Sequence, residues 1–254
     1  MATDVPLEVW DHVFKNLRDN PPALLACTLV CRAWLPIARR RAFHSIHLSG
    51  RSHPRRFVQL LYMNPDISCH IRRLTIRFHD HSYDEQISQI LLRMVYLQNL
   101  SFTSTITLSH LQSRFPYRSI CTGGAFATIK NLHLEHLSFA GMDLPRILHS
   151  CVWLSTLHLE AITWNYLYPD DTQHLKLAFP VIHKSTITDL CLIRCTPNVA
   201  RLLVSGLFQL ELSVLKLRWE DQAKPHVSEI ARLACTSLQH FTLSMQGMIR
   251  MRFP

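Results

Sequence analysis

The tetrapeptide Leu-His-Leu-Glu occurs twice, at Leu132–Glu135 and at Leu157–Glu160. In each copy His and Glu are two residues apart, the spacing that puts both side chains on one face of a strand. If the two copies are neighbouring strands, about 4.8 Å apart, then His133, Glu135, His158 and Glu160 cluster. Two imidazoles and two carboxylates are a donor set that could hold zinc. The plainer reading is a solvated polar patch in which water screens the two carboxylates, and no metal or cofactor is expected.

The remaining candidates are weaker. His133 and His136 are three apart, so on a strand they face opposite sides. Cys27 and Cys31, four apart on or near a helix, read as packing. The eight cysteines include no C-x-x-C pair, and the start MATDVPLEVW has neither a basic nor an apolar signal region, so reduced thiols are expected. No spacing implies a serine or cysteine beside both a His and an acid, so nucleophilic catalysis has no support. With six glycines and neither a G-x-G-x-x-G nor a Walker loop, nucleotide chemistry is equally unsupported. No run of 18 apolar residues occurs, and no membrane contact is expected.

Charge is concentrated. Of the formal net +9, a window from Arg39 to Arg77 holds nine arginines, no lysine and one acid, Asp66. Such a field favours an acidic or phosphorylated protein segment. Nucleic acid is a lesser reading, because aromatics are few there and no nucleic-acid motif accompanies them.

These residues need elements to position them, and a repeat supplies those elements. A hydrophobe, two residues, a hydrophobe, one residue, a hydrophobe recurs as Ile71-Leu74-Ile76, Leu97-Leu100-Phe102, Ile129-Leu132-Leu134 and Leu154-Leu157-Leu159. It continues as Ile187-Leu190-Leu192, Leu212-Leu215-Leu217 and Leu238-Phe241-Leu243, and Phe43-Ile46-Leu48 fits ahead of the first. Successive starts from Ile71 are 26, 32, 25, 33, 25 and 26 residues apart. Each unit predicts a strand whose last two hydrophobes point inward. Helical spacing fills the intervals: Phe57, Leu60 and Leu61; Ile87, Ile90, Leu91 and Met94; Leu144, Ile147, Leu148 and Cys151; Val199, Leu202 and Leu203; Val227, Ile230 and Ala234. Strand and helix in units of this length predict a parallel sheet with helices on one side. The outward positions then form a stripe that is basic at Arg73 and Arg77, polar at Asn99 and Asn131, carries His133, Glu135, His158 and Glu160 at its centre, and ends at Lys216 and Arg218. That stripe is the expected substrate-binding face.

Over residues 43–245 the pattern resembles the leucine-rich repeat, L-x-x-L-x-L-x-x-N/C-x-L. At the ninth position this chain has His79, Thr105, Leu137, Ile162, Cys195, Glu220 and Gln246, and only Cys195 matches. The resemblance therefore implies an α/β solenoid in a short, irregular arc. The chain stops at RMRFP soon after the last unit, so the final strand is expected to be covered by something else or left as an edge.

Ahead of the repeats, residues 4–43 predict three helices. Asp4 or Thr3 can cap the first, Pro6 suits its first turn, and Val9, Val13 and Leu17 stack at i+4 beside Trp10 and Phe14. The second is expected from Ala23 to Val30. The third holds Trp34, Leu35, Ile37 and Ala38 and ends in Arg39–Arg41. About 40 residues cannot bury so much apolar surface alone, which predicts an exposed patch for a protein partner. The steps V-P-L-E-V-W at Val5–Trp10, then Val13, Phe14 and Leu17, then L-V-C-R-A-W at Leu29–Trp34, resemble an F-box. The resemblance implies a domain at 1–45 that binds the Skp adaptor of cullin–RING ubiquitin ligases, with Pro6, Val9, Val13, Leu17, Leu29, Val30, Cys31 and Trp34 facing the adaptor or bracing that face. Residues 46–254 would be the leucine-rich-repeat-like substrate receptor, non-catalytic, in cytoplasm or nucleus. The alternative is a stand-alone repeat scaffold with a helical cap, binding acidic partners, nucleic acid or a metal ion.

Overall fold

The hydrophobe spacing is realised as strands. The computed structural model describes residues 5–17, 20–50, 52–78, 84–104, 124–165, 186–205, 207–219, 228, 230–232 and 237–245. Within them lies a sheet of eight strands: β1 (Ser45–Ser49), β2 (Arg73–Phe78), β3 (Asn99–Ser104), β4 (Asn131–Glu135), β6 (Thr156–Glu160), β8 (Thr186–Ile193), β9 (Gln209–Trp219) and β10 (His240–Met245). All pairings are parallel and follow chain order. Two short strands, β5 (Ser138–Ala140) and β7 (Thr163–Asn165), pair in a second small parallel sheet. This is an α/β architecture, with helices on the inward side of the main sheet.

Register is set by the inward pair of each unit. Ile46, Leu74, Leu100, Leu132, Leu157, Leu190, Leu215 and Phe241 lie abreast across the sheet. A one-residue slip would turn every one of them to solvent. From β2 to β9 these residues, and the hydrophobe two further on, are buried. Against them pack α4 (His53–Met63), α5 (Asp84–Arg93), α6 (Asp143–Ser150) and α7 (Pro197–Val204), whose Leu61, Ile90, Ile147 and Leu203 join one continuous core. In the last helical pattern Ile230 is buried, while Val227 and Ala234 lie outside the described residues. β9 and β8 meet with one irregularity between Ile187 and Asp189.

Strand entry is uniform. The carbonyls of His44, Arg72, Gln98, Lys130 and Ser155 each accept two backbone N–H groups from the next unit, at 2.8–3.1 Å, as in Gln98→Arg72 and Asn99→Arg72 at 3.0 Å each. Strand exit is uniform too over three units. His136, Ala161 and Arg194 take left-handed φ of 54°, 50° and 53°. Their N–H groups donate to the carbonyls of Glu160, Ile193 and Arg218 at 2.9, 2.7 and 2.8 Å. The ninth-position residues follow that turn. Leu137 and Ile162 are buried there as apolar fillers. Cys195 is buried and its thiol donates to the Leu159 carbonyl at 3.3 Å. His79, Thr105, Glu220 and Gln246, like the caps Thr3 and Asp4 and the terminal RMRFP, lie outside the described residues.

The N-terminal helices are α1 (Leu7–Asn16), α2 (Pro21–Cys27) and α3 (Leu35–Ala42), with a small core of their own around Phe14, Leu24 and Ile37. α2 ends earlier than the expected Val30. The Asn20 side chain caps its start by accepting from Ala23 N–H at 3.2 Å, and Thr28 Oγ1 donates to the Leu25 carbonyl at 2.6 Å as the helix stops. Leu29 and Val30 therefore fall in the turn that follows, not on the helix. Asp11 ties α1 to α3 through Arg40 at 2.9 Å and Arg41 at 2.5 Å. The Arg41 hydrogen bond, supported by Arg40 against the cost of burial, holds that carboxyl below its ordinary value. Two charges of the arginine window are thereby spent on an internal tie. Among the described residues no helix is long and apolar enough to cross a membrane.

Candidate functional site

The outward positions of the eight strands form three parallel rows. The first runs Ser45, Arg73, Asn99, Asn131, Thr156, Asp189, Val214, His240; the second His47, Thr75, Ser101, His133, His158, Cys191, Lys216, Thr242; the third Ser49, Arg77, Thr103, Glu135, Glu160, Ile193, Arg218, Ser244. Side chains within a row bond across strands. Asn131 Nδ2 donates to Asn99 Oδ1 at 2.6 Å, and Thr156 Oγ1 donates to Asp189 Oδ2 at 3.3 Å.

The two His-Glu pairs do fall on adjacent strands and meet, His133 opposite His158 and Glu135 opposite Glu160. They do not converge on a point. The imidazoles stack, 4.1 Å between centroids and 29° between planes. The carboxylates take further partners: Glu135 accepts from Thr103 Oγ1 at 3.1 Å and lies 3.6 Å from His136 Nε2, and Glu160 accepts from Arg194 Nη2 at 2.8 Å. His158 Nε2 stands 3.7 Å from the other Glu160 oxygen. Among the described residues no group of three or more His, Cys, Asp or Glu is placed to hold a metal ion.

Electrostatics follow burial. His133 is held below its ordinary value first by desolvation and then by the neighbouring His158, with Glu135 and Glu160 opposing. Burial would raise the Glu160 carboxyl, but Arg194 and the nearby imidazoles together hold it low. Cys191, beside His158 in the second row, is pushed up by burial against the pull of Lys216, and Cys195 is pushed up to about 12 by the same cause. Both thiols stay protonated at neutral pH, so neither is a ready nucleophile. The Nε2 atoms of His133 and His158 are closed off from solvent and make no hydrogen bond among the described residues.

A shallow groove of about 430 Å³ lies over the first two rows between β1 and β6. Five expected substrate contacts line it: Arg73, Asn99, Asn131, His133 and His158. Arg77, Glu135 and Glu160 belong to the third row, and Lys216 and Arg218 stand on β9, away from it. The sequence reading left out Ser45 and His47, which also line it, although the Phe43-Ile46-Leu48 match already placed their strand in register. Arg194 was missed for a different reason: it lies beyond the strand, on the left-handed turn, where the repeat pattern says nothing. Arg73 and Arg77 are exposed and have no ion-pair partner among the described residues.

The second candidate surface is at the N-terminus. Val9 and Val13 on α1 are 49% and 41% exposed, and Leu29 and Val30 are 87% and 61% exposed. Pro6 and Cys31 are exposed beside them. Trp34 and Leu17 pack instead against the small core, Trp34 at 4.4 Å from Trp10 and 5.3 Å from Phe14 between ring centroids. They brace the surface from behind.

A scan against protein-family models matches none of them, and a search of curated proteins returns no match.

Proposed function

We propose that this chain is the substrate-recognition subunit of a Skp–cullin–F-box ubiquitin ligase, with residues 1–45 as the F-box and 46–254 as a leucine-rich-repeat-like solenoid. One observation carries the reading. Of the apolar side chains in the N-terminal segment, Phe14, Leu24 and Ile37 go inside, while Val9, Val13, Leu29 and Val30 stay in solvent. The exposed set is the one an F-box would present to its adaptor. So many exposed aliphatics on so small a unit are costly unless something covers them. The same helices also serve as a cap, since α3 packs against the 3-10 helix Pro65–His70 that leads into β2.

In this role the protein is non-catalytic, working in cytoplasm or nucleus. It supplies proximity: the outward sheet face holds a protein substrate so that its lysines meet the charged enzyme at high effective concentration. Arg73 and Arg77 beside the groove suit an acidic or phosphorylated segment. Capture by the purified Skp adaptor tests the reading. The wild type is retained, and Leu29→Asp with Val30→Asp is not, while the unfolding free energy stays within about 0.5 kcal/mol because both sites are exposed. Failure of the wild type to bind, or undiminished capture of the variant, leaves the stand-alone scaffold in its place.

A further inference from the structure

The outward rows change sign across the sheet. On β2, Arg73 and Arg77 are exposed cations. On β3 the matching positions are Asn99, Ser101 and Thr103, all uncharged. On β4 and β6 the third row is acidic, with Glu135 and Glu160 two residues beyond the imidazoles that line the groove. The two carboxylates differ in their surroundings. Glu160 is neutralised by Arg194 at 2.8 Å. Glu135 meets the Thr103 hydroxyl at 3.1 Å and His136 Nε2 at 3.6 Å, and no arginine or lysine pairs with it among the described residues.

The uncompensated charges are therefore of opposite sign and a fixed distance apart. Arg77 and Glu135 share the third row with one strand between them, which is about 10 Å. An extended backbone advances about 3.3 Å per residue, so about three residues cover that span. From Arg73, in the first row of β2, the diagonal to Glu135 is about 16 Å, or about five residues. Between the poles the groove is lined by Thr75, Asn99, Ser101 and Asn131. Their hydroxyls and amides can donate to or accept from a peptide backbone.

We propose that this face docks a protein segment bearing two opposite charges: an anionic side chain held by Arg73 and Arg77, and a lysine or arginine three to five residues away held by Glu135. Charge selects the occupant. A nucleic acid strand or an unbroken acidic run satisfies the arginines but sets like charge against Glu135, which no arginine or lysine among the described residues neutralises. A basic run fails at the arginines for the same reason. The anion is a carboxylate or a phosphate, since both match a guanidinium. This inference rests on the reading of the outward sheet face as the substrate face. It narrows an acidic or phosphorylated segment to one that also carries a cation.

Fluorescence anisotropy of the full chain with labelled pools of degenerate nonapeptides tests the proposal. Each pool fixes phosphoserine or glutamate at one position, and lysine, alanine or glutamate three to five residues away on either side. The lysine pools bind about five-fold more tightly than the alanine pools, and the double-acid pools bind more weakly than either. Whether phosphoserine or glutamate serves better identifies the anion, and either supports the dock. Glu135→Gln removes the preference for lysine, and Glu135→Lys reverses it so that double-acid pools bind best. Arg73→Gln with Arg77→Gln removes the dependence on the acid. Arg55→Gln, on α4 behind the sheet, changes nothing. Unchanged thermal unfolding shows that the variants are folded. Lost peptide selectivity with Skp capture retained fails this inference alone, and lost Skp capture with selectivity retained fails the ligase reading alone. Equal binding of all pools, no binding, or a lysine preference that survives Glu135→Lys would overturn the proposal. So would a single-stranded oligonucleotide that outcompetes the best pool, which would assign the face to nucleic acid.

Discussion

His133 and His158 stack where two neighbouring strands bring the same tetrapeptide into register, and His133 is held low first by its burial and then by His158. Burial is also the first cause at His70. The unfolded chain binds a proton at each with an ordinary value near 6.5. Folded, both bind it less readily, so the unfolded state holds more protons as the pH falls through 6.5, and stability falls with it. Asp11 and Glu160 are depressed carboxylates, and what they contribute is lost only in more acid solution, below their ordinary 3.8 and 4.5. The urea midpoint should thus drop between about pH 7.5 and about pH 5.5, less steeply in His133→Asn, and less again when His70→Asn is added. A single variant with the slope of the wild type would show that the ring is not desolvated by its neighbours.

At the scale of elements, inward hydrophobes were readable because register and burial share a period of two. The pattern therefore identified the strands of the main sheet, and it predicted which outward residues would stand together. It could not identify β5 and β7. Both are three residues long and follow a left-handed residue, and neither length nor alternation marks them. Nor could it show the further partners of Glu135 and Glu160, since Thr103 and Arg194 come from other units. The left-handed turn itself yields a prediction. Ala161 has φ of 50° and is 7% exposed. Ala161→Gly relieves a backbone conformation that costs a side chain about 1–2 kcal/mol and gives back part of that as unfolded-state entropy, for a net gain of up to about 1 kcal/mol. Ala161→Val adds branching at the same φ in a buried site and should lose about 2 kcal/mol or more. Equilibrium unfolding of the pair checks this, and a loss in the glycine variant would mean the alanine methyl matters more than the turn.

At the scale of the molecule, each strand of the main sheet pairs, among the described residues, only with its immediate neighbours in the strand order, and for such a linear order stability approximates a sum of local terms and neighbour terms. The sum is uneven. In β6, Leu157 and Leu159 are fully buried between β4 and β8. In β10 the equivalent Phe241 and Leu243 are 49% and 44% exposed among the described residues, and the strand pairs on one side only. Leu159→Ala should then cost about 2–5 kcal/mol, and Leu243→Ala less than about 1 kcal/mol. Amide exchange should follow the same order, slowest in β4 and β6 and fastest in β10, because an end unit opens by breaking one interface and a central unit by breaking two. If β10 exchanges as slowly as β6, or Leu243→Ala costs as much as Leu159→Ala, then the edge is covered in solution and the last unit is held by more than its neighbour. If the gradient is present, β10 is the unit through which the fold unravels, and anything that pairs with its free edge would raise the stability of every unit behind it.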